Sequence, residues 1–183
     1  LGLVGSEMCI RDRISPFEEN LPKNQANYFP LTPLSFITRT AEVFTERTAV
    51  IHGEIKRSWR ETLKRCTRLA SALKKKGVVQ GTTVSVMAPN VPELLEAHFA
   101  VLMTGGVLNA LNIRLEAETL AFILEHGESQ VLITDREFSP VIQKVLQQLE
   151  DPPLVIDIDD PMAEGGELLG EMDYEAFLKT GDE

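Results

Sequence analysis

Cysteine, histidine and aromatic side chains are scarce in this chain: two cysteines, three histidines, one tryptophan and two tyrosines among 183 residues. Cys9 and Cys66 are too few for a disulfide framework and lack the clustered spacing of a zinc site. A reducing, cytoplasmic setting is the resulting expectation. No apolar run approaches the roughly 20 residues a membrane-spanning helix needs, so no membrane span is expected. The N-terminus has no basic flank followed by an apolar core, which argues against a secretory signal. Nor is there a basic excess. Residues 1–150 carry seventeen charges of each sign, and nucleic acid is not an expected partner.

What is present is the composition of one well-cored globular domain, with 43% hydrophobic and 25% charged residues. The formal charge of −10 belongs to the last stretch, where residues 151–183 hold eleven acidic groups and one lysine. A solvated acidic tail is the plain reading of residues 161–183, and a partner-docking segment is the alternative. Residues 1–13, LGLVGSEMCIRDR, differ from the rest and resemble translated sequencing-adaptor sequence, which sets them apart from the fold. Residues 14–31, with Pro16, Pro22 and Pro30, read as an extended lead-in, and residues 32–160 as the folded domain.

Within that domain the elements alternate. Thr32-Pro33 opens a helix whose apolar face is Leu34, Ile37, Ala41 and Phe44. Thr48–His52 and Glu54–Trp59 form a hairpin turned at Gly53. Ser58 and Glu61 make a capping box for a helix that buries Leu63, Cys66, Leu69, Ala70 and Leu73 and ends at Gly77. Thr83–Ala88 is a strand. Asn90 and Glu93 repeat the capping pattern before a helix, Val91–Thr104, apolar on most of its surface and so expected to be largely buried. Gly105-Gly106 stops it, and Val107–Leu111 is strand-like. Glu116–His126 is a helix closed by Gly127, Gln130–Thr134 a buried strand, Ser139-Pro140 a helix start, and Leu154–Ile158 the last strand. A short helix near Tyr174–Lys179 begins at Asp173. The alternation predicts an α/β fold, a mainly parallel sheet with flanking helices and one N-terminal hairpin.

The residues offer little complete chemistry. No G-x-G-x-x-G follows a strand, and G-x-x-x-x-G-K-[ST], G-x-S-x-G and H-E-x-x-H are all missing. Gly81-Thr82-Thr83 leads straight into a strand and reads as a tight turn. Cys66 and His98, at helical spacing among apolar residues, read as packing groups. His52 and His126 stand alone. Asp157, Asp159 and Asp160 follow the last strand, where a magnesium-binding acidic pair of a receiver-like domain could sit, but no suitable lysine follows. Asn109, Asn112 and Arg114 leave their strand together and either line a cleft or satisfy loop backbone. No catalytic, cofactor-binding or metal residue is assigned.

Several phrases in order resemble the N-terminal portion of the AMP-forming acyl-CoA synthetases: AVIHGEIKRSW, TLKRCTRLASALKKKG, VSVMAPNVPELLEAHFAVLMTGGVLNALN and AETLAFILEHGESQVLITDREF. The phrases LTPLSF, VLITDREFSPV and VIDIDDP with GELLGEMDYEAFL resemble a subgroup for short or medium-chain acids, including 3-methylmercaptopropionate ligases. The resemblance implies a carboxylic acid substrate, with ATP, Mg²⁺ and coenzyme A used by the full-length enzyme. It also implies a Ser/Thr/Gly-rich loop ending in Pro-Lys-Gly and a catalytic lysine, neither of which stands in these 183 residues. The expectation is an inactive N-terminal fragment of an acid–CoA ligase; the alternative is a self-contained α/β binding or signalling module with an acidic docking tail.

Overall fold

A computed structural model describes residues 22–24, 26, 28, 29 and 31–183. The segment 1–13, and most of the lead-in, lie outside the described residues. The chain divides into two units, residues 1–32 and 33–183. In the first, a turn is closed by the Tyr28 amide on the Asn24 carbonyl, 2.9 Å.

The second unit opens with α1, Pro33–Val43, which buries Ile37 and Ala41 but leaves Phe44, just beyond its end, exposed. The hairpin follows: β1, Thr48–His52, pairs antiparallel with β2, Ile55–Ser58, through a turn at Gly53 with φ +54°. Helix α2, Trp59–Lys75, starts at the expected capping box, with both the Ser58 and Glu61 side-chain bonds formed. The Glu61 carboxyl is held below the ordinary carboxylate range, mainly by the Ser58 amide and hydroxyl.

Five strands form one parallel sheet in the order β4-β3-β5-β6-β7, comprising β3 Thr83–Met87, β4 Val107–Ala110, β5 Ser129–Asp135, β6 Leu154–Ile158 and β7 Met172–Asp173. Between them run α3 Pro92–Thr104, α4 Ala117–His126, α5 Ser139–Leu146 and finally α6 Tyr174–Lys179. Strand alternation divides the core in two. Val84, Val86, Val131, Ile133 and Ile156 point to a cluster with Leu69, Leu73, Ala97, Val101 and Phe177, which come from α2, α3 and α6. Met87 and Leu132 point to the other, with Leu120 and Leu124 of α4 and Ile142 and Val145 of α5.

Two sequence expectations need correction, and two hold with added detail. Val91, not Asn90, occupies the N-cap of α3, and no side chain bonds there; Glu93 turns instead toward Arg57 and Arg65. Helix α3 is largely buried, as its apolar composition implies, with one face open. Its small residues Ala97 and Ala100 and its acidic Glu93 and Glu96 face inward, while Leu95 and Leu102 are exposed. Small side chains let α2 approach closely. Gly127 closes α4 as its C-cap, as expected, in a right-handed conformation, and Glu128 after it takes the left-handed one, φ +49°.

The second correction concerns the acidic stretch. Residues 172–183 add β7 and α6 to the fold rather than hanging in solvent. Asp173 caps α6 by accepting from the Ala176 amide at 2.8 Å. Tyr174, Phe177 and Leu178 are buried. The acids meet the cations of α2: Glu175 with Arg65, Asp182 with Lys75, and Glu183 with Lys64 and Arg68. The acids at the end of the chain thus find their partners on α2.

Candidate functional site

In an open parallel sheet the ligand side is the carboxyl end of the strands, at the point where the strand order reverses. Here that point lies between β3 and β5, because the chain passes outward to β4 before returning. Asp135 ends β5 fully buried; one carboxyl oxygen accepts from the Glu137 amide at 2.9 Å, and the other has no hydrogen-bond partner. Burial, with Asp160 nearby, pushes its pKa up.

At the end of β6 and just beyond it, Asp157, Asp159 and Asp160 diverge instead of converging. Asp157 accepts the Gly170 amide at 2.5 Å and ties down the following loop. Asp159 pairs with Arg136 at 2.9 Å, and Asp160 pairs with His52 at 3.0 Å. Among the described residues no group of three or more His, Cys, Asp or Glu is placed to hold a metal ion. The receiver-like reading has no acidic pocket here. His52, expected to stand alone, links the hairpin to the loop after β6.

Two cavities flank the hairpin. One, of about 320 Å³, lies between the end of β6, the hairpin and α6, with the charged Arg57, Arg65, Glu93, Asp173 and Glu175 in its wall. Glu96, 1% exposed, anchors this wall: it accepts from Arg57 at 2.8 Å, Arg65 at 2.6 Å and the Tyr174 hydroxyl at 2.9 Å. Arg65 also clamps Glu175 with bonds of 2.5 and 3.0 Å. Burial opposes the charge on Arg65, but its bonds to Glu175 and Glu96 outweigh that and keep it firmly protonated. Sequence patterning missed this cluster because its members lie on β2, α2, α3 and α6. The one available signal was charge at otherwise inward positions of α3.

The second cavity is an open groove of about 630 Å³ between the hairpin and α3, lined by Val50, Ile51, Val91, Leu95, Phe99 and Leu102. His98 lies on its rim, exposed, with Nδ1 2.7 Å from the Leu94 carbonyl. The expected core histidine is therefore a surface residue. Helical spacing put it beside Leu94 and Leu102, and that face of α3 looks outward.

The remaining sequence candidates are absorbed by structure. Cys66 is fully buried, and burial together with Glu96 pushes its thiol up to about 12, which removes it as a nucleophile. Asn109 donates to Ser85 Oγ at 3.0 Å, which meets Ser129 Oγ at 2.6 Å, so a polar thread crosses β4, β3 and β5. Asn112 accepts from the Arg114 amide at 3.0 Å and closes a loop. Gly81 and Thr82 form the expected tight turn, with the Gly81 amide on the Gly105 carbonyl. Arg136, the cation after β5, is engaged by Asp159 and by the carbonyls of Asp160, Ala163 and Gly165.

A parallel sheet of this order, with helices on both faces and a hairpin beside it, is the scaffold seen in adenylate-forming ligases. The anthranilate–CoA ligase AuaEII, solved with anthranoyl-AMP, superposes with a TM-score of 0.72 at 20% identity, covering 81% of this chain and 28% of that one. Residues 37–179 match the model of the AMP-binding enzyme family, and the chain belongs to that family. It is 44% identical over 176 residues to the peroxisomal acetate/butyrate–CoA ligase of Arabidopsis thaliana, covering 90% of this chain and 31% of the relative. With the peroxisomal trans-cinnamate:CoA ligase of Petunia hybrida it shares 46% over 131 residues, 72% of this chain and 23% of that protein. The chain thus spans about a third or less of these relatives. Among the described residues, no helix is long and apolar enough to cross a membrane.

Proposed function

We propose that these residues are the N-terminal scaffold of an ATP-dependent acid–CoA ligase. The observation that carries this reading is the family match over residues 37–179, on a fold shared with a solved CoA ligase. In the longer protein the acid's carboxylate oxygen attacks the α-phosphorus of ATP, supported by Mg²⁺, and pyrophosphate leaves. The thiolate of coenzyme A then attacks the acyl carbon and expels AMP. Both steps develop negative charge that needs amides, lysine and metal to neutralise it. Residues 33–183 contribute a sheet and its covering helices, and no group on them is assigned a chemical step.

Two finer parts belong to the proposal. The first is that the 183 residues alone neither adenylate acids nor form thioesters, because the nucleotide loop and catalytic lysine implied by the family are not among them. The second is the acid, a short or medium-chain one, with 3-methylmercaptopropionate as the narrowest reading from the phrases quoted above. The relatives act, by name, on acetate and butyrate or on cinnamate, which supports the reaction and leaves the acid open. A cytoplasmic location is likewise proposed; a tagged longer protein found in an organelle would overturn it.

Glu175, Asp182 and Glu183 are engaged by α2, which favours the scaffold reading over the docking-tail alternative. The test is pyrophosphate release by the longer protein given ATP, Mg²⁺, coenzyme A and a panel of acids. Release that depends on one of the short acids supports the reading. Release by the 183-residue chain itself would refute the scaffold assignment.

A further inference from the structure

The cluster between β2, α2, α3 and α6 contains one carboxylate too many. Two guanidiniums, Arg57 and Arg65, face three carboxylates, Glu93, Glu96 and Glu175. Glu96 and Glu175 hold the close contacts, at 2.5 to 2.8 Å, whereas Glu93 stands off at 3.7 and 3.9 Å. We propose that Glu93 is a proton-uptake switch that sets how tightly the segment Met172–Lys179 is clasped against α2 and α3. The inference is independent of the ligase reading.

Every element around Glu93 supplies a charged or titratable neighbour. β2 gives Arg57, α2 gives Arg65 and Cys66, α3 gives Glu96, and α6 gives Tyr174 and Glu175. His52, Asp159, Asp160 and Asp173 line the same cavity. With all three glutamates ionised the inner set carries a net negative charge in a half-enclosed space. With Glu93 protonated, two cations meet two anions. Burial and Glu96 both raise the pKa of Glu93, in agreement with this geometry.

The direction of the effect follows from linkage. Opening the clasp removes Tyr174 and Glu175 from the cavity wall and rehydrates Glu93, returning it toward an ordinary carboxylate. The closed state therefore binds the proton more tightly. Glu93's contribution to the clasp is fully present below the ordinary carboxylate pKa, is lost as pH rises from there through the raised value, and levels off beyond it. On the acid side, Glu175 must stay ionised to hold Arg65.

Hydrogen–deuterium exchange of the 183-residue chain tests this, comparing peptides over Met172–Lys179 with peptides over β5 from about pH 4.5 to about pH 8. Protection of the clasp relative to β5 is expected to fall about threefold or more across this range, each rate referred to the unstructured rate at the same pH. In Glu93→Gln the decline should vanish, with protection at the alkaline end above that of the parent. In Glu175→Gln protection should drop over the whole range. A flat profile in the parent, or an unchanged decline in Glu93→Gln, would overturn the proposal. Failure of Glu93→Gln to fold while Glu175→Gln folds would also overturn it, by showing that the third carboxylate is required rather than surplus.

Discussion

Replacing Glu96 by glutamine should be the most damaging single isosteric change on α3. Glu96 is 1% exposed and takes hydrogen bonds from Arg57, Arg65 and Tyr174 at 2.8, 2.6 and 2.9 Å. Glutamine keeps the volume but removes the charge, and turns an amide donor toward groups that all donate. Breaking a buried ion pair from one side costs about 3–5 kcal/mol. Glu93 and Glu175 remain to share the two guanidiniums, so the loss should fall near the low end, about 3 kcal/mol. With an m-value of about 3 kcal/mol per molar urea, the unfolding midpoint drops by about 1 M. The matched control is Glu46→Gln, which breaks the exposed Arg60–Glu46 pair at 2.5 Å and should leave the midpoint unchanged. Equal, small shifts in both variants would refute the claim that Glu96 anchors the cluster.

Other expectations follow from the same contacts. Phe177→Ala empties a fully buried position between α6 and α2 and should lower urea stability by about 3–5 kcal/mol. Ser58→Ala removes the capping box of α2 and should cost about 1 kcal/mol in the same assay. Gly106→Ala puts a methyl 2.9 Å from the Thr82 carbonyl and should cost about 1–3 kcal/mol, whereas free tolerance would disprove the tight approach. Arg65 lowers the pKa of Glu175, so its contribution is present above the ordinary carboxylate range and lost as pH falls through the lowered value. Thermal melts should therefore fall on acidification less steeply in Glu175→Gln than in the parent.

The order of strands and helices was legible because apolar spacing and end signals agreed. Ser58 with Glu61 and Asp173 before Tyr174 each mark a helix start that forms as read. Failures came where long-range pairing overrode local chemistry. Asn90 and Glu93 look like a cap, but Glu93 has two arginines to meet, and Val91 takes the N-cap. The outward face of α3 reads as core because Leu95, Phe99 and Leu102 are apolar, yet the inward face is chosen by what packs on α2. The acidic stretch reads as solvated because its cationic partners lie about a hundred residues earlier, on α2. The candidate site was legible only in what the motifs did not include. The glycines and helix between Val86 and Leu115, part of the stretch that matches the family, are spent on turns and close packing.

The most direct test of the account is acid-dependent exchange of labelled pyrophosphate into ATP, run on the 183-residue chain and on the longer protein in parallel. The account predicts exchange by the longer protein with a short or medium-chain acid present, and none by the 183 residues. Exchange by the 183 residues, or none by the longer protein with any acid tried, would contradict it.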